Sequence, residues 1–479
     1  MNDQATDMEI PLVADLDGSL INTDLLFEAL VLLLKKNPLY FFVCPFWLLK
    51  GKSFFKQRVF EKAILQYDCL PFNEHVTGFL KEEFNKGRKI VLATASPLSA
   101  AEEIAKVQPV FSEVYGTGDT VNLKGANKLS LLLEKYGARG FDYIGNSSAD
   151  LVIFAQCRNA YLVNGSASVE SKAKQNGNLK NVWAGKRTSV KDFIKAIRAY
   201  QWIKNLLLFV PLVTSHSLGS LNLVLLSFFG FCTFSLVASA GYLLNDLLDI
   251  NGDRKHPRKK FRPVASGKIS IPTAFIIAVL FLAGGLIFAA TLGLWFFCIV
   301  LFYFCTSFSY SLFLKKIVLY DVFILALLYS VRVFAGAIVI DVVLSFWLIA
   351  FSTFIFLSLA FVKRYSELMQ VEDSGNLKNR GRGYIVQDLT VLLMMGVVSG
   401  FLAVVVFSLY INSPEVTELY SKPRILWAIS FLFLFWISRM WLFTTRGKMT
   451  DDPIVFALKD VTSYFVFAIT GVLIVLASL

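Results

Sequence analysis

Asn245, Asp249 and Asp253 recur at every fourth position where a long apolar run gives way to polar sequence. That spacing puts all three on one face for as long as the segment stays helical. A carboxylate costs about 2.5–3.5 kcal/mol at the centre of a membrane span, so a cluster of them at a membrane boundary asks for a cation. Hard oxygen ligands suit magnesium, and magnesium generally arrives with phosphates. The bases that follow, Lys255, Arg258, Lys259, Lys260 and Arg262, would neutralise the rest of a diphosphate. The competing reading of the same run is a solvated interfacial loop.

A second set of chemically capable residues is spread over the first third of the chain. Asp15 and Asp17 lie in IPLVADLDGS, Thr94 in RKIVLATAS, and Asn146 and Asp150 in FDYIGNSSAD, while Lys128 opens NKLSLLLEKYG. Phosphoryl transfer to water through an aspartyl phosphate needs a carboxylate nucleophile and a second carboxylate that moves protons. It also needs a hydroxyl and a lysine on the phosphate, and oxygen ligands for magnesium. A lone DxDG arises by chance in many loops; the four elements in this order are far more specific.

These residues must be positioned by two different kinds of structure. Of the 479 residues 56% are hydrophobic and 17% charged, with a mean hydropathy of +0.59, whereas typical globular chains are about 25% charged. That excludes an ordinary soluble enzyme. Up to about residue 190 charges are frequent and apolar runs short; from Leu206 onward, runs of about twenty apolar residues recur, each long enough to cross a bilayer. The N-terminus has no basic leader with an apolar core and cleavage site, so the first part is expected to stay in the cytoplasm. Cys44, Cys69, Cys157, Cys232, Cys298 and Cys305 form no CxxC pair, and His75, His216 and His256 form no HExxH, which argues against zinc and disulfides. The net charge of +12 does not point to nucleic acid, because much of it falls in loops between apolar helices.

Nine membrane helices are expected, at about 203–219, 221–245, 272–291, 293–314, 318–340, 344–362, 388–411, 424–443 and 460–478. With a cytoplasmic N-terminal part, the loops after even-numbered helices lie inside. They carry Arg254 to Lys268, then Lys315 and Lys316, then Lys363, Arg364, Lys378, Arg380 and Arg382, then Arg446, Lys448 and Lys459; outside loops hold only Lys422 and Arg424. This asymmetry supports the orientation, although a basic loop can serve topology alone. RGKMTDDP, with Asp451 and Asp452, reads as a solvated loop. In the soluble part, three buried parallel strands ending in polar residues predict a doubly wound α/β sheet with its ligands at the carboxyl ends. A helical insert at about 24–85 would cap that site. Its NPLYFFVCPFWLLKGK is too short to span and is interrupted by Pro38 and Pro45, so it is either cap core or an interfacial segment that dips into the bilayer.

On these motifs, residues 9 to about 165 resemble the haloacid dehalogenase (HAD) superfamily. The resemblance implies a Rossmannoid α/β fold with Asp15 as nucleophile, Asp17 as acid/base, Thr94 and Lys128 on phosphate, and Asp15, Asp17, Asn146 and Asp150 around magnesium. The family usually has an acid at the place of Asn146, which puts metal affinity and phosphatase activity in question; the other possibility is a regulatory or scaffolding domain. Residues 195–479 resemble the UbiA superfamily of intramembrane transferases, an all-α bundle whose NDxxDxxxD motif binds magnesium diphosphate. Asn245, Asp249 and Asp253 take that role by resemblance. Ordinary members cleave a prenyl diphosphate and carry a second aspartate-rich motif; here YSLFLKKIVLYDVFILALLYSVR offers bases and a single acid, which suits a substrate with additional phosphate.

RAYQWIKN, RKHPRKKFRP, YSLFLKKIVLYD and FVKRYSEL are similar to the decaprenyl-phosphate phosphoribosyltransferase branch. This implies 5-phosphoribosyl diphosphate (PRPP) as donor and a polyprenyl phosphate as acceptor, with Lys204, Lys255, Arg258, Arg262, Tyr310 and Lys315 on donor phosphates or sugar. Asp321, Arg332, Lys363 and Arg364 are candidates for the sugar and lipid phosphates, with snorkelling at a span end as the alternative for Lys204, Lys363 and Arg364. The implied organisation is a phosphatase domain at 1–185, a linker or interfacial helix at 186–202 and a transferase bundle at 203–479, in the cytoplasmic membrane with both sites facing inward and no nucleic-acid partner. Two other functions compete: a prenyltransferase with an aromatic or small acceptor and an accessory HAD part, and a transporter or scaffold.

Overall fold

The computed structural model describes residues 9–118, 122–185, 188–373, 383–449, 452–457 and 459–479. Lys378, Arg380, Arg382 and Asp451 lie outside the described residues. The chain forms two compact units, Met1–Arg198 with Tyr242–Val279, and Ala199–Gly241 with Leu280–Leu479. The first unit thus takes in the loop of Asp249 as well as the N-terminal segment, so the units are not simply successive in sequence.

In the first unit six short strands, β1 (Leu12–Ala14), β2 (Ile90–Pro97), β3 (Glu113–Thr117), β4 (Asp142–Gly145), β5 (Ala160–Val163) and β6 (Leu179–Trp183), form one sheet. Its order is β3-β2-β1-β4-β5-β6 and every neighbouring pair is parallel. Parallel strands are buried on both faces, which is why IVLA and LVA are apolar without alternation. Side chains still alternate between faces: Leu12, Ala14, Leu92 and Ile144 enter one core cluster, and Val13, Val91, Ala93 and Tyr143 the other. The order reverses between β1 and β4, so a crevice opens at their carboxyl ends, where Asp15 and Asn146 follow immediately.

Between β1 and β2 the chain inserts α1 (Leu25–Lys36), α2 (Tyr40–Leu49) and α3 (Lys52–Lys62). Asp24 caps α1 by accepting from the Leu26 amide, and Lys35 and Lys36 close it, favourable at a helix C-terminus. Tyr40, Cys44 and Trp47 of α2 pack on Ala29, Leu33 and Val59, the i, i+4, i+7 stripe of an amphipathic helix. The rest of α2 is just as apolar and stands exposed.

Among the described residues eight helices are long and apolar enough to cross a membrane: Leu221–Leu248, Ile271–Leu292, Leu294–Leu312, Tyr320–Val339, Phe346–Gln370, Val386–Ile411, Pro423–Thr445 and Val461–Ser478. The expected helix at 203–219 is not one of them. Ala199–Phe209 is a 3-10 segment followed by a short helix, Val210–Thr214. Pro211 has no N–H to continue a ladder from upstream and instead starts the new helix, and His216 at φ 53° leaves the right-handed helical region. The 3-10 segment lies on the Tyr320–Val339 helix because Gly336 has no side chain; a Cβ there would meet the Leu208 carbonyl oxygen at 2.1 Å. Small residues bring other helices together in the same way: a Cβ at Gly396 would stand 2.1 Å from the Trp441 ring.

Candidate active sites

Asp15 follows β1 directly, Thr94 ends the regular part of β2, and Lys128 sits in the first turn of α4 (Ala126–Tyr136). Buried Lys128 donates to Asp15 Oδ1 at 2.7 Å and to the Tyr143 hydroxyl at 3.0 Å. Asp17 is held from two sides: the Leu25 amide donates to its Oδ1 at 2.9 Å and the Ser96 hydroxyl to its Oδ2 at 2.8 Å. The Thr94 hydroxyl, fully buried, accepts from the Ser96 amide. Asp150 receives four donors, the Tyr143 hydroxyl on Oδ1 and the Asn146 amide, Ser147 amide and Ser147 hydroxyl on Oδ2. It therefore fixes the loop that presents Asn146. The Asn146 amide group fills the space beside Gly18, whose Cβ would fall 2.0 Å from Nδ2. From the insert, Lys56 of α3 reaches the Ala95 carbonyl at 2.9 Å. A cleft of ≈ 340 Å³ beside it is lined by Ser53, Lys56, Gln57, Leu98, Ser99 and Thr117.

Burial pushes the Asp15 carboxyl up to about 6 against the pull of Lys128, and burial with the nearby Asp24 charge pushes Asp17 up to about 7. Both groups hold protons more tightly folded than unfolded, so between the ordinary value of 3.8 and about 7 the native state binds more protons. Stability of metal-free protein is therefore expected to fall as pH rises through that window. Thermal denaturation in chelator at stepped pH would show it, with a shallower slope for Asp15→Asn; a midpoint that rises from about pH 4 to pH 7 would refute this assignment of the shifts. Asp15, Asp17 and the Asn146 amide oxygen are the hard oxygen ligands a divalent ion would take here, beside the Lys128 ammonium on Asp15.

The Asp249 loop has its own geometry. The Leu221–Leu248 helix, α5, stops one residue before Asp249, which caps α6 (Ile250–Lys255). The Asp249 amide still bonds the Asn245 carbonyl and the Asp253 amide the Asp249 carbonyl, both at 2.9 Å, so the expected single face survives the break. Arg262 bridges Asp246 Oδ1 at 3.1 Å and Asp253 Oδ2 at 2.5 Å, and Arg198 also pairs with Asp246. Asp249 is partly exposed and accepts from Lys35 of α1 at 3.2 Å. Lys255 and Arg258 are exposed. Arg254, buried, forms a fork to Glu28 of α1 at 2.6 and 3.1 Å.

In the second unit the charged candidates divide into two groups. Lys204, buried, is paired with Asp452, and the Lys363 charge acts on both. Arg364, with no exposed surface, lies 2.5 Å from Asp321 and also pairs with Glu367. Its guanidinium reaches the Tyr310 hydroxyl at 3.4 Å, and the Tyr384 hydroxyl donates to Asp321 at 2.6 Å. Lys315 sits at half-burial in the 3-10 turn Leu314–Lys316. Arg332 belongs with Lys204 rather than with Arg364: its charge acts on Lys204 and both lie over the Tyr329 ring. It donates to Asn205 Oδ1 and the Tyr303 hydroxyl at 2.9 Å and to the Leu328 carbonyl, and lies over Phe234, Tyr303 and Tyr329. Each of its three guanidinium nitrogens thus has one partner within the bundle.

The sequence profile of the UbiA prenyltransferase family matches residues 206–458, more than half of the chain. The chain belongs to the UbiA prenyltransferase family. It is 34% identical over 474 residues to Uncharacterized protein y4nM of Sinorhizobium fredii, covering 98% of this chain and 92% of that one. Nodulation protein NoeC of Azorhizobium caulinodans is 34% identical over 281 residues, 59% of this chain and 91% of its own length. Decaprenyl-phosphate phosphoribosyltransferase of Corynebacterium glutamicum is 33% identical over 186 residues, 38% of this chain and 56% of the enzyme.

Several charged residues of this UbiA chain carry no weight in the sequence reading and prove central in space. Asp246 is buried between two arginines; the second letter of NDLLD was its signal, and with Asp249 and Asp253 it keeps an i, i+3, i+7 face. Asp452 is buried on Lys204 and not in a solvated loop, a correction that follows from a partner 248 residues away. Ser96 and Glu367 lay inside RKIVLATAS and FVKRYSEL with no role assigned to them, and Lys56 and Tyr384 had no motif. Arg364→Met would leave Asp321 and Glu367 without their cation, and removing one partner of a buried pair costs about 3–5 kcal/mol. A marked loss of thermal stability in detergent is expected, smaller for Arg364→Lys; an unchanged midpoint for Arg364→Met would exclude the pairing.

Proposed function

We propose that this UbiA-family protein transfers 5-phosphoribose from PRPP to a polyprenyl phosphate, and that its N-terminal α/β unit is a HAD-type phosphatase that then removes the 5-phosphate. The observation that carries the transferase reading is the charge balance of the candidate residues. Asp246, Asp249 and Asp253 lie at the α5–α6 junction in a stretch that also carries Lys255, Arg258 and Arg262, with Arg198 on Asp246, and the second unit holds Lys204 on Asp452 with the Lys363 charge nearby, Arg364 on Asp321 and Glu367, and Lys315 in its own turn. A prenyl diphosphate brings one diphosphate; PRPP with a lipid phosphate brings a diphosphate and two further phosphates, which needs more cations. The 33% identity to a decaprenyl-phosphate phosphoribosyltransferase supports the same choice.

Asn245, Asp249 and Asp253 would hold magnesium on the donor, whose contribution is to neutralise the departing diphosphate. Arg258, Lys255 and Arg262 orient the diphosphate through charge-assisted bonds. As the bond from ribose C1 to diphosphate oxygen breaks through an oxocarbenium-like state, a lipid phosphate oxygen bonds C1 from the opposite face. That oxygen is already anionic, so no general base is needed and catalysis rests on positioning and charge. Lys204 and Lys363 are the groups suited to hold the acceptor phosphate and the 5-phosphate, whereas Arg364, fully buried on Asp321 and Glu367, is engaged within the bundle. In the other unit, Asp15 attacks the phosphorus of the 5-phosphate while Asp17 gives its proton to the leaving ribose oxygen. Asp17 then takes a proton from the water that hydrolyses the aspartyl phosphate. Lys128 and Thr94 neutralise the transferred group, and Asp15, Asp17 and Asn146, with Asp150 steadying the loop, suit a magnesium ion there.

The basic loops support an orientation with both sites on the cytoplasmic side of the cell membrane. That parity requires residues 199–219 to cross. At about 2.0 Å per 3-10 residue and 1.5 Å per α-residue the segment reaches about 30 Å, and irregular backbone is tolerated at membrane depth when covered by protein.

Incubating purified protein with PRPP and polyprenyl phosphate, then analysing the lipid by mass spectrometry, tests both steps. Polyprenyl-phosphoryl ribose is the expected end product. A lipid that keeps its 5-phosphate with intact Asp15 would remove the phosphatase from the scheme. Family membership itself favours one other reading, prenyl transfer to a small acceptor; consumption of labelled prenyl diphosphate without PRPP would establish it.

A further inference from the structure

We infer that α2 is a membrane-docking helix: its exposed apolar face inserts into the interface of the anionic bilayer and holds the mouth of the Asp15/Asp17 site against a lipid-borne phosphate ester. The inference rests on the phosphatase reading for its substrate and on independent geometry for its location.

Leu39, Phe42, Phe46 and Leu49 are 65, 68, 66 and 84% exposed, and their i, i+3, i+7, i+10 spacing makes one continuous stripe. The opposite stripe of Tyr40, Cys44 and Trp47 is already covered by α1 and α3. A helix apolar on all sides with only one side packed wants a second apolar phase. Its flanks name that phase. Between Glu28 and Glu61 the chain has no acidic residue, while Lys35, Lys36, Lys50, Lys52, Lys56 and Arg58 are all basic. Lys35, Lys36, Lys50 and Lys52 are exposed at the two ends of α2. An apolar face between basic ends is the composition that binds anionic lipid surfaces.

Location argues for the bilayer independently of composition. Within the same compact unit, Lys35 is bonded to Asp249 and Glu28 to Arg254, and Asp249 directly follows the end of the apolar helix α5. A Cβ on Gly267 would meet the Asn22 carbonyl oxygen at 2.3 Å, so the base of the insert is also seated on the far side of that loop. Tyr40 begins α2 five residues after Lys35, a reach of at most about 17 Å. The helix is thus tied near the level where a membrane span emerges. At its other end the chain runs through Gly51 into α3, whose Ser53, Lys56 and Gln57 line a cleft, with Lys56 bonded to the carbonyl of Ala95, the residue before the Ser96 that holds Asp17. A phosphate ester on a lipid would pass from the interface along α2 and α3 to Lys56 and Asp15.

The test uses the full chain in vesicles of phosphatidylcholine and phosphatidylglycerol. Phe46→p-benzoylphenylalanine is expected to form phospholipid adducts on irradiation, and the same replacement at exposed Phe84 is not; equal yields at the two positions would overturn the docking. The double variant Phe42→Asp, Phe46→Asp is expected to hydrolyse p-nitrophenyl phosphate at the wild-type rate. With polyprenyl-phosphoryl ribose 5-phosphate in the vesicles it should lose about tenfold or more, as removal of two inserted aromatic side chains predicts. Equal loss on both esters, or none on either, would overturn the proposal. A wild-type protein that hydrolyses neither ester would refute the phosphatase reading, while the cross-linking still decides the docking.

Discussion

Asp15→Asn should abolish phosphate release, by about 10⁴-fold or more, the scale of losing a covalent nucleophile. Transfer from PRPP should continue, so the lipid product accumulates with its 5-phosphate in place. The amide keeps the shape of the carboxyl and can still accept from Lys128 Nζ, 2.7 Å away in the native protein, so the fold is expected to stand. What disappears is the anionic oxygen that attacks phosphorus. Asp17→Asn should also fail, for a different reason: the amide oxygen can still accept from the Leu25 amide and its NH2 can donate to the Ser96 hydroxyl, but no proton reaches the leaving oxygen. Phosphate release assayed with p-nitrophenyl phosphate, beside mass analysis of the lipid, separates the two activities. Wild-type release by Asp15→Asn would end the aspartyl-phosphate scheme.

Asp249→Asn should reduce transfer by about 10²–10³-fold, the effect of removing one preorganised electrostatic contact at a site of developing charge. Asp249 is the useful position because it is partly exposed and Lys35, from which it accepts, is itself exposed, so stability should change little. Asp253 is buried on Arg262, and its replacement would confuse folding with catalysis. The variant should keep wild-type hydrolysis of p-nitrophenyl phosphate and require more magnesium for the transfer that remains. Transfer at the wild-type rate would remove the Asp249 loop from the mechanism and leave the transporter or scaffold reading standing.

The two groups of candidates were legible to different degrees, for physical reasons. A strand end and the residue after it are adjacent in sequence, so Asp15, Thr94 and Asn146 could be read as neighbours once their strands were read as parallel. The face of Asn245, Asp249 and Asp253 is set by helical spacing alone and withstands the break at Asp249. Arg332 shows the limit of such reading. A lone arginine in an apolar helix marks function as readily as structure, and only the tertiary structure shows that it bonds Asn205, 127 residues away, and Tyr303.

By itself the sequence determined eight of the segments that must leave water, three of the six short strands, and which loops carry the charge. Each of these follows from runs and periods of a few residues, and burial of apolar surface acts on every such run wherever it lies. The tertiary structure alone decided that residues 199–214 wind as a 3-10 segment and short helix beside Gly336, that Asp452 is buried on Lys204, and that Glu28 locks Arg254 across 226 residues. Those outcomes depend on pairs of charges and on a missing side chain in a neighbouring helix. A buried charge is stable only with its partner in place, and no local pattern records which distant residue that partner is.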